Sequence, residues 1–134
     1  MGRGTFYAPD SLSGLYALVV DPDKERRTLV SGILRYCGAL VTPVETSHTA
    51  LSVMALLKPD ALVVDFSEPE AFALPFIRSV RALKPEEGGV VTAIAIGDAG
   101  ADAGLARGRG FDAYLTKPLD PWELCRAVST LLAP

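Results

Sequence analysis

Asp21, Asp65 and Lys117 each stand at the end of an apolar run. Asp21 follows Leu15-Tyr16-Ala17-Leu18-Val19-Val20, Asp65 follows Ala61-Leu62-Val63-Val64, and Lys117-Pro118 follows Ala113-Tyr114-Leu115-Thr116. If the runs are neighbouring strands of one parallel sheet, their C-terminal ends lie along a single edge. Open α/β sheets bind ligands at that edge. Two carboxylates and an ammonium gathered there suit a divalent cation and a phosphoryl group. The acids hold metal or attack phosphorus, and the ammonium neutralises charge.

Such a pocket needs alternating strands and helices, and the sequence pattern supplies them. Residues 15–20 read as a buried strand. Pro22 opens a helix carrying Leu29, Val30, Ile33, Leu34 and Cys37 at helical spacing, and Gly38 stops it. A second strand over 40–44 precedes a helix capped by Ser47, with Leu51, Met54 and Leu57 on one face. The third strand, 61–64, leads past Pro69 to a helix through Phe76, Ile77, Val80 and Leu83.

Residues 85–89 form a turn, and 90–96 a fourth strand. The Ala- and Gly-rich stretch 99–109 makes the fourth helix the weakest. After a fifth strand over 113–115, Asp120-Pro121-Trp122-Glu123 starts the last helix with a capping Asp, Pro at the first position and Glu placed for a capping box. Leu124, Val128 and Leu131 form its buried face. Unbroken apolar strands predict a parallel sheet covered on both faces, and right-handed crossovers make it doubly wound. The reading is one (βα)5 domain over residues 15–134, preceded by a lead or linker over 1–14.

Composition narrows the function classes. The chain has 134 residues, 49% hydrophobic and 22% charged, with a net charge of −3. That acidic balance argues against a nucleic-acid binder held by phosphate contacts, which needs a basic stripe. No apolar run approaches the roughly 20 residues of a membrane span, and the first residues lack the apolar core of a signal peptide. Cys37 and Cys125 both fall in apolar helical stripes. They read as buried thiols in a reducing compartment, neither metal site nor redox motif, and place the protein in the cytoplasm. His48 has no second ligand-type residue near it in sequence and reads as non-metal.

In their order, Val19-Val20-Asp21, Pro59-Asp60-Ala61-Leu62-Val63-Val64-Asp65 with Pro69 beyond it, and Gly110-Phe111-Asp112-Ala113-Tyr114-Leu115-Thr116-Lys117-Pro118 resemble a receiver domain of two-component response regulators. The resemblance covers about residues 15–132. It implies a flavodoxin-like sheet of order 2-1-3-4-5 and a signalling phosphoacceptor, not an enzyme. By it, Asp65 takes a phosphoryl group from a histidine kinase or histidine phosphotransfer protein. Asp21, Asp65 and the backbone carbonyl of Ser67 hold Mg²⁺. Lys117 pairs with Asp65 and then with the phosphoryl group, and the Lys117-Pro118 bond is cis. Tyr114 is the switch aromatic. The face of fourth helix, fifth strand and fifth helix serves partners or a homodimer, with neither nucleic acid nor membrane involved.

The chain departs from that family pattern twice. Pro22 replaces the second acid after the first strand, which weakens Mg²⁺ binding and leaves Asp23 turned towards solvent. The Ser or Thr expected after the fourth strand is Ala95 by one count and Gly97 by another, and Asp98 close by repels a phosphoryl group. A second reading is therefore a pseudo-receiver, an interaction module that is not phosphorylated. A third takes Asp21-Pro22-Asp23 as the Asp-x-Asp of haloacid dehalogenase-like phosphatases, with Asp21 as nucleophile and Asp23 as acid. Dinucleotide binding is set aside because no Gly-x-Gly-x-x-Gly opens a helix. Lys24, Glu25, Arg26 and Arg27 read as the solvated face of the first helix, near which the family docks its phosphotransfer partner.

Overall fold

The apolar runs become strands because both of their faces are covered, and helices return the chain so that each strand starts parallel to the last. A computed structural model describes residues 11–100 and 102–133. The elements are β1 (Tyr16–Val20), α1 (Lys24–Tyr36), β2 (Leu40–Val44), α2 (Ser47–Leu57), β3 (Ala61–Asp65), α3 (Leu74–Arg81), β4 (Thr92–Gly97), α4 (Asp102–Gly108), β5 (Ala113–Thr116) and α5 (Pro121–Leu132). The five strands pair in parallel in the order β2-β1-β3-β4-β5, the flavodoxin-like arrangement expected. Val20 lies opposite Val64 across β1 and β3. Asp21 and Asp65 therefore leave adjacent strands at the same level.

Side chains alternate along a strand, and the alternation sorts the core into two layers. Leu18, Val20, Leu62, Val64, Ala93 and Ala95 pack with Met54, Ile77, Val80 and Ala106 from α2, α3 and α4. Ala17, Val19, Val63, Ile94 and Ile96 pack on the other face with Val30, Leu34, Leu124 and Val128 from α1 and α5. Leu12 joins that second layer, fully buried, and its N–H donates to the carbonyl of Cys37 at 2.8 Å. Packing thus begins before β1, while residues 1–10 of the expected lead lie outside the described residues. No helix among the described residues is long and apolar enough to cross a membrane.

Helix and strand starts differ from the sequence reading for local reasons. α1 begins at Lys24, not Pro22, because the Asp23 carboxylate caps it by accepting from Arg26 N–H at 2.8 Å. Thr46, rather than Ser47, caps α2, its hydroxyl accepting from Thr49 N–H at 3.1 Å. β4 starts at Thr92, not at residue 90. Val90 is exposed, and the carbonyls of Gly89 and Val91 are taken by the Arg81 guanidinium instead of a neighbouring strand.

Candidate functional site

Asp21 and Asp65 continue the alternation of Val19 and Val63, so both point to the face that α1 and α5 cover. Two short hydrogen-bonded turns then place the start of α1 above them. Asp21 Oδ1 accepts from Asp23 N–H at 2.8 Å, and Asp23 in turn caps Arg26. Arg26 consequently sits in the first helical turn, where side chains lean towards the helix N-terminus. It reaches back over the strand ends. Its Nε and Nη2 donate to Asp21 Oδ2 and Oδ1 at 3.2 and 3.1 Å, and Nη2 also meets Asp65 Oδ2 at 3.4 Å. Arg27 donates to the Asp21 backbone carbonyl at 2.8 Å.

The other approach to Asp65 comes from β5. Lys117 Nζ stands 3.7 Å from Asp65 Oδ1, and the Ser67 hydroxyl joins the two. That hydroxyl accepts from Lys117 Nζ at 2.7 Å and donates to Asp65 Oδ1 at 2.8 Å. The Lys117-Pro118 bond is cis. Among the described residues, Asp65 thus has one oxygen fixed by a hydroxyl and the other facing only the longer Arg26 contact. A cavity of about 340 Å³ is lined by Asp21, Asp65, Arg26 and Lys117 together with Val30, Val63, Ile96 and Leu119.

Burial shapes the charges. The Asp21 and Asp65 side chains are 7% and 4% exposed, against 40% for Arg26 and 28% for Lys117. Desolvation raises the Asp21 carboxyl above its ordinary value, and the nearby Asp65 charge adds to the rise. The Arg26 and Asp23 hydrogen bonds pull it back without cancelling it. Arg26 is held more firmly protonated by its bond to Asp21.

Gly97 and Tyr114 lie on the opposite face of the same edge. A Cβ at Gly97 would come within 2.5 Å of the Tyr114 hydroxyl and 3.1 Å of Phe66 Cβ. Tyr114 is buried, meets Phe66 edge-on at 5.6 Å, and donates its hydroxyl to the Asp98 carbonyl. Burial raises the phenol above its ordinary value, with the Asp102 and Asp98 charges adding to it. Neither candidate position for the family's hydroxyl carries one: Ala95 is buried within β4 and Gly97 ends it.

The fold therefore gathers Asp21, Asp65, Ser67 and Lys117 into one pocket, with Tyr114 on the far face. Arg26 is the residue that sequence reasoning missed. It is not part of a solvated face, and Arg27 also turns inward to the β1 end. The available signal was its place in the first turn after a strand-end acid, combined with the backward lean of helical side chains. Ser67 contributes its hydroxyl to Asp65 and Lys117. Asp23 is occupied as a helix cap, which removes the free acid that a phosphatase reading needs. Cys37 and Cys125 are buried free thiols in the α1/α5 layer, and desolvation followed by the neighbouring Cys37 thiol raises Cys125.

Asp21, Asp65 and the Ser67 carbonyl are the donors that would hold Mg²⁺ here. Among the described residues no three His, Cys, Asp or Glu side chains cluster as metal ligands. The two carboxylates present are already bridged by a guanidinium.

No protein-family model matches the chain. It is 36% identical over 118 residues to the uncharacterized 14.6 kDa protein in the sodA1 3′ region of Leptolyngbya boryana, a match covering 88% of this chain and 90% of that protein. It is 30% identical over 115 residues to the "Probable transcriptional regulatory protein TcrX" of Mycobacterium tuberculosis, covering 86% of this chain but 48% of the relative, so it spans about half that protein's length. Among solved structures, the receiver domain of Francisella response regulator 1452 matches with a TM-score of 0.76 at 22% identity, over 88% of this chain and 96% of that one.

Proposed function

We propose, from the premise that this chain belongs with the response regulator receiver domains in fold and with the Leptolyngbya protein in family, that it is a signalling receiver taking a phosphoryl group on Asp65. The observation that carries this reading is the asymmetric grip on that carboxylate. Ser67 fixes Oδ1 and links it to Lys117, while Oδ2 meets the looser Arg26 contact. Oδ2 is the freer nucleophile. It forms a bond to the phosphorus of a phosphohistidine or small acyl phosphate, and the bond from phosphorus to the donor's nitrogen or acyl oxygen breaks. Lys117 and Arg26 neutralise the charge that spreads over the phosphoryl oxygens. The donor is a histidine kinase or histidine phosphotransfer protein, docking beside α1.

The test is intact-mass spectrometry after incubation with small acyl phosphates and with a histidine kinase. One phosphoryl mass is expected on the wild type and none on Asp65→Asn. A wild type that stays unmodified by every donor overturns the reading.

One observation favours a second reading, a pseudo-receiver that binds its partner without phosphorylation. The Tyr114 ring already fills the space over Gly97, and its hydroxyl is already bonded to Asp98. A phosphoryl group at Asp65 finds no hydroxyl at Gly97 through which to move that ring. Partner affinity equal in wild type, Asp65→Asn and Asp65→Glu is the outcome expected under this reading, and a change of about tenfold or more rules it out.

A further inference from the structure

The Arg26 guanidinium stands between two buried carboxylates on adjacent strands. With Lys117 on the far side of Asp65, the pocket's two acids are matched by two bases. A guanidinium presents a planar fork of N–H donors that fits carboxylate or phosphoryl oxygens two at a time. It lies 3.1 Å from Asp21 and 3.4 Å from Asp65. A divalent ion entering between these acids has to displace it, since both together overload the pocket with positive charge. Pro22 supplies no further carboxylate to balance them.

We propose that Arg26 is the resident cation of this pocket, excluding divalent metal from Asp21 and Asp65 and neutralising the phosphoryl group in its place. The second half rests on the reading of Asp65 as acceptor; the first half stands without it. In the transfer from an acyl phosphate, the Asp65 Oδ2–phosphorus bond forms as the phosphorus–acyl oxygen bond breaks. The leaving group departs as a carboxylate with its electron pair. One carboxylate attacks and another leaves, so no proton has to move. Arg26 Nη2 turns from Asp65 Oδ2 to an arriving phosphoryl oxygen while Nε stays on Asp21 Oδ2. Its 40% exposure leaves it room to do so.

The experiment separates the two halves. The whole chain is titrated with Mn²⁺, read by water-proton relaxation, as wild type, Arg26→Gln and Arg26→Lys. Arg26→Gln is expected to bind Mn²⁺ about tenfold or more tightly than wild type. Arg26→Lys, which keeps the charge but not the fork, falls between them and guards against a glutamine variant that fails to fold. Equal Mn²⁺ affinity in wild type and both variants overturns the exclusion. Acyl phosphate is then supplied with excess chelator. A phosphoryl mass on wild-type Asp65, lost in Arg26→Gln, supports the neutralising role. A phosphoryl mass that appears only when Mg²⁺ is restored sinks that role, whereas its absence under all conditions counts against the acceptor reading alone.

Discussion

Two arginines sit at opposite edges of the sheet and do different work with the same group. Arg81, at the end of α3, donates to the backbone carbonyls of Gly89, Val91 and Gly110 at 3.1, 2.6 and 2.7 Å. It also meets Asp112, whose carboxylate accepts from Ala93 N–H at 2.8 Å. The Arg26 guanidinium, at the C-terminal edge, meets only carboxylate side chains among the described residues. Backbone carbonyls neither titrate nor accept a phosphoryl group, and they cannot leave without unfolding the loop. Carboxylates do the first two. The partners, more than the arginine, decide that one end fixes the fold and the other holds a charge state.

The largest effect expected is at the fixed end. Arg81→Ala leaves three carbonyls at the β4 and β5 entrances without their donor. At about 1 kcal/mol net for each carbonyl left without its donor, the loss is about 3 kcal/mol, read from the urea midpoint. Arg81→Lys recovers little of it, because one ammonium cannot span three acceptors. A loss under 1 kcal/mol, on the order of one such bond, means that Arg81 does not fix the loops at the β4 and β5 entrances.

Next comes Gly97→Thr, which asks where the C-terminal edge keeps its packing. The new Cβ collides with the Tyr114 hydroxyl, so the ring must leave its place against Phe66. The expected cost is about 2 kcal/mol, together with a rise in Tyr114 exposure seen by tyrosine fluorescence quenching. A variant with wild-type stability and quenching shows that the ring was free to move.

Arg26→Ala ranks below both. Its side chain is 40% exposed, so water screens much of the pairing. About 1 kcal/mol is expected in the same urea measurement.

The sequence carried the order of strands and helices, because helical spacing is local and the central strands β1, β3 and β4 are largely apolar. It also carried the convergence of Asp21, Asp65 and Lys117, since strand ends in a parallel sheet must share an edge. What it did not carry depended on competition between neighbours. Pro22 and Asp23 both offer a helix start, and only the cap bond from Asp23 to Arg26 decides between them. That single shift sets the angle at which Arg26 returns to the strands. Val90 and Val91 have strand-like side chains, but Arg81, nine residues earlier than Val90, claims the adjoining carbonyls. A side chain reaching across elements leaves no periodicity to read.

The smallest effect expected is also the one that most cleanly separates the two arginines. Asp21 holds its proton to a higher pH in the fold than in the unfolded chain, since burial and the Asp65 charge outweigh the Arg26 and Asp23 bonds. As pH rises past the ordinary carboxylate value of 3.8, the unfolded chain releases this proton first. The folded state then binds more protons than the unfolded one, so stability falls with rising pH until Asp21 ionises in the fold, and levels off above that point. Wild-type stability measured against Asp21→Asn is therefore expected to decline through this acid window. Removing Arg26 deletes both its hydrogen bond and its charge, two of the three contributions that lower Asp21, so in Arg26→Ala the decline extends to higher pH. In Arg81→Ala it keeps its wild-type position, although the whole curve lies lower. Urea unfolding across the window, on these variants with and without Asp21→Asn, reads both shifts. A decline that moves equally in the two arginine variants means that Arg26 exerts no hold of its own on the Asp21 proton.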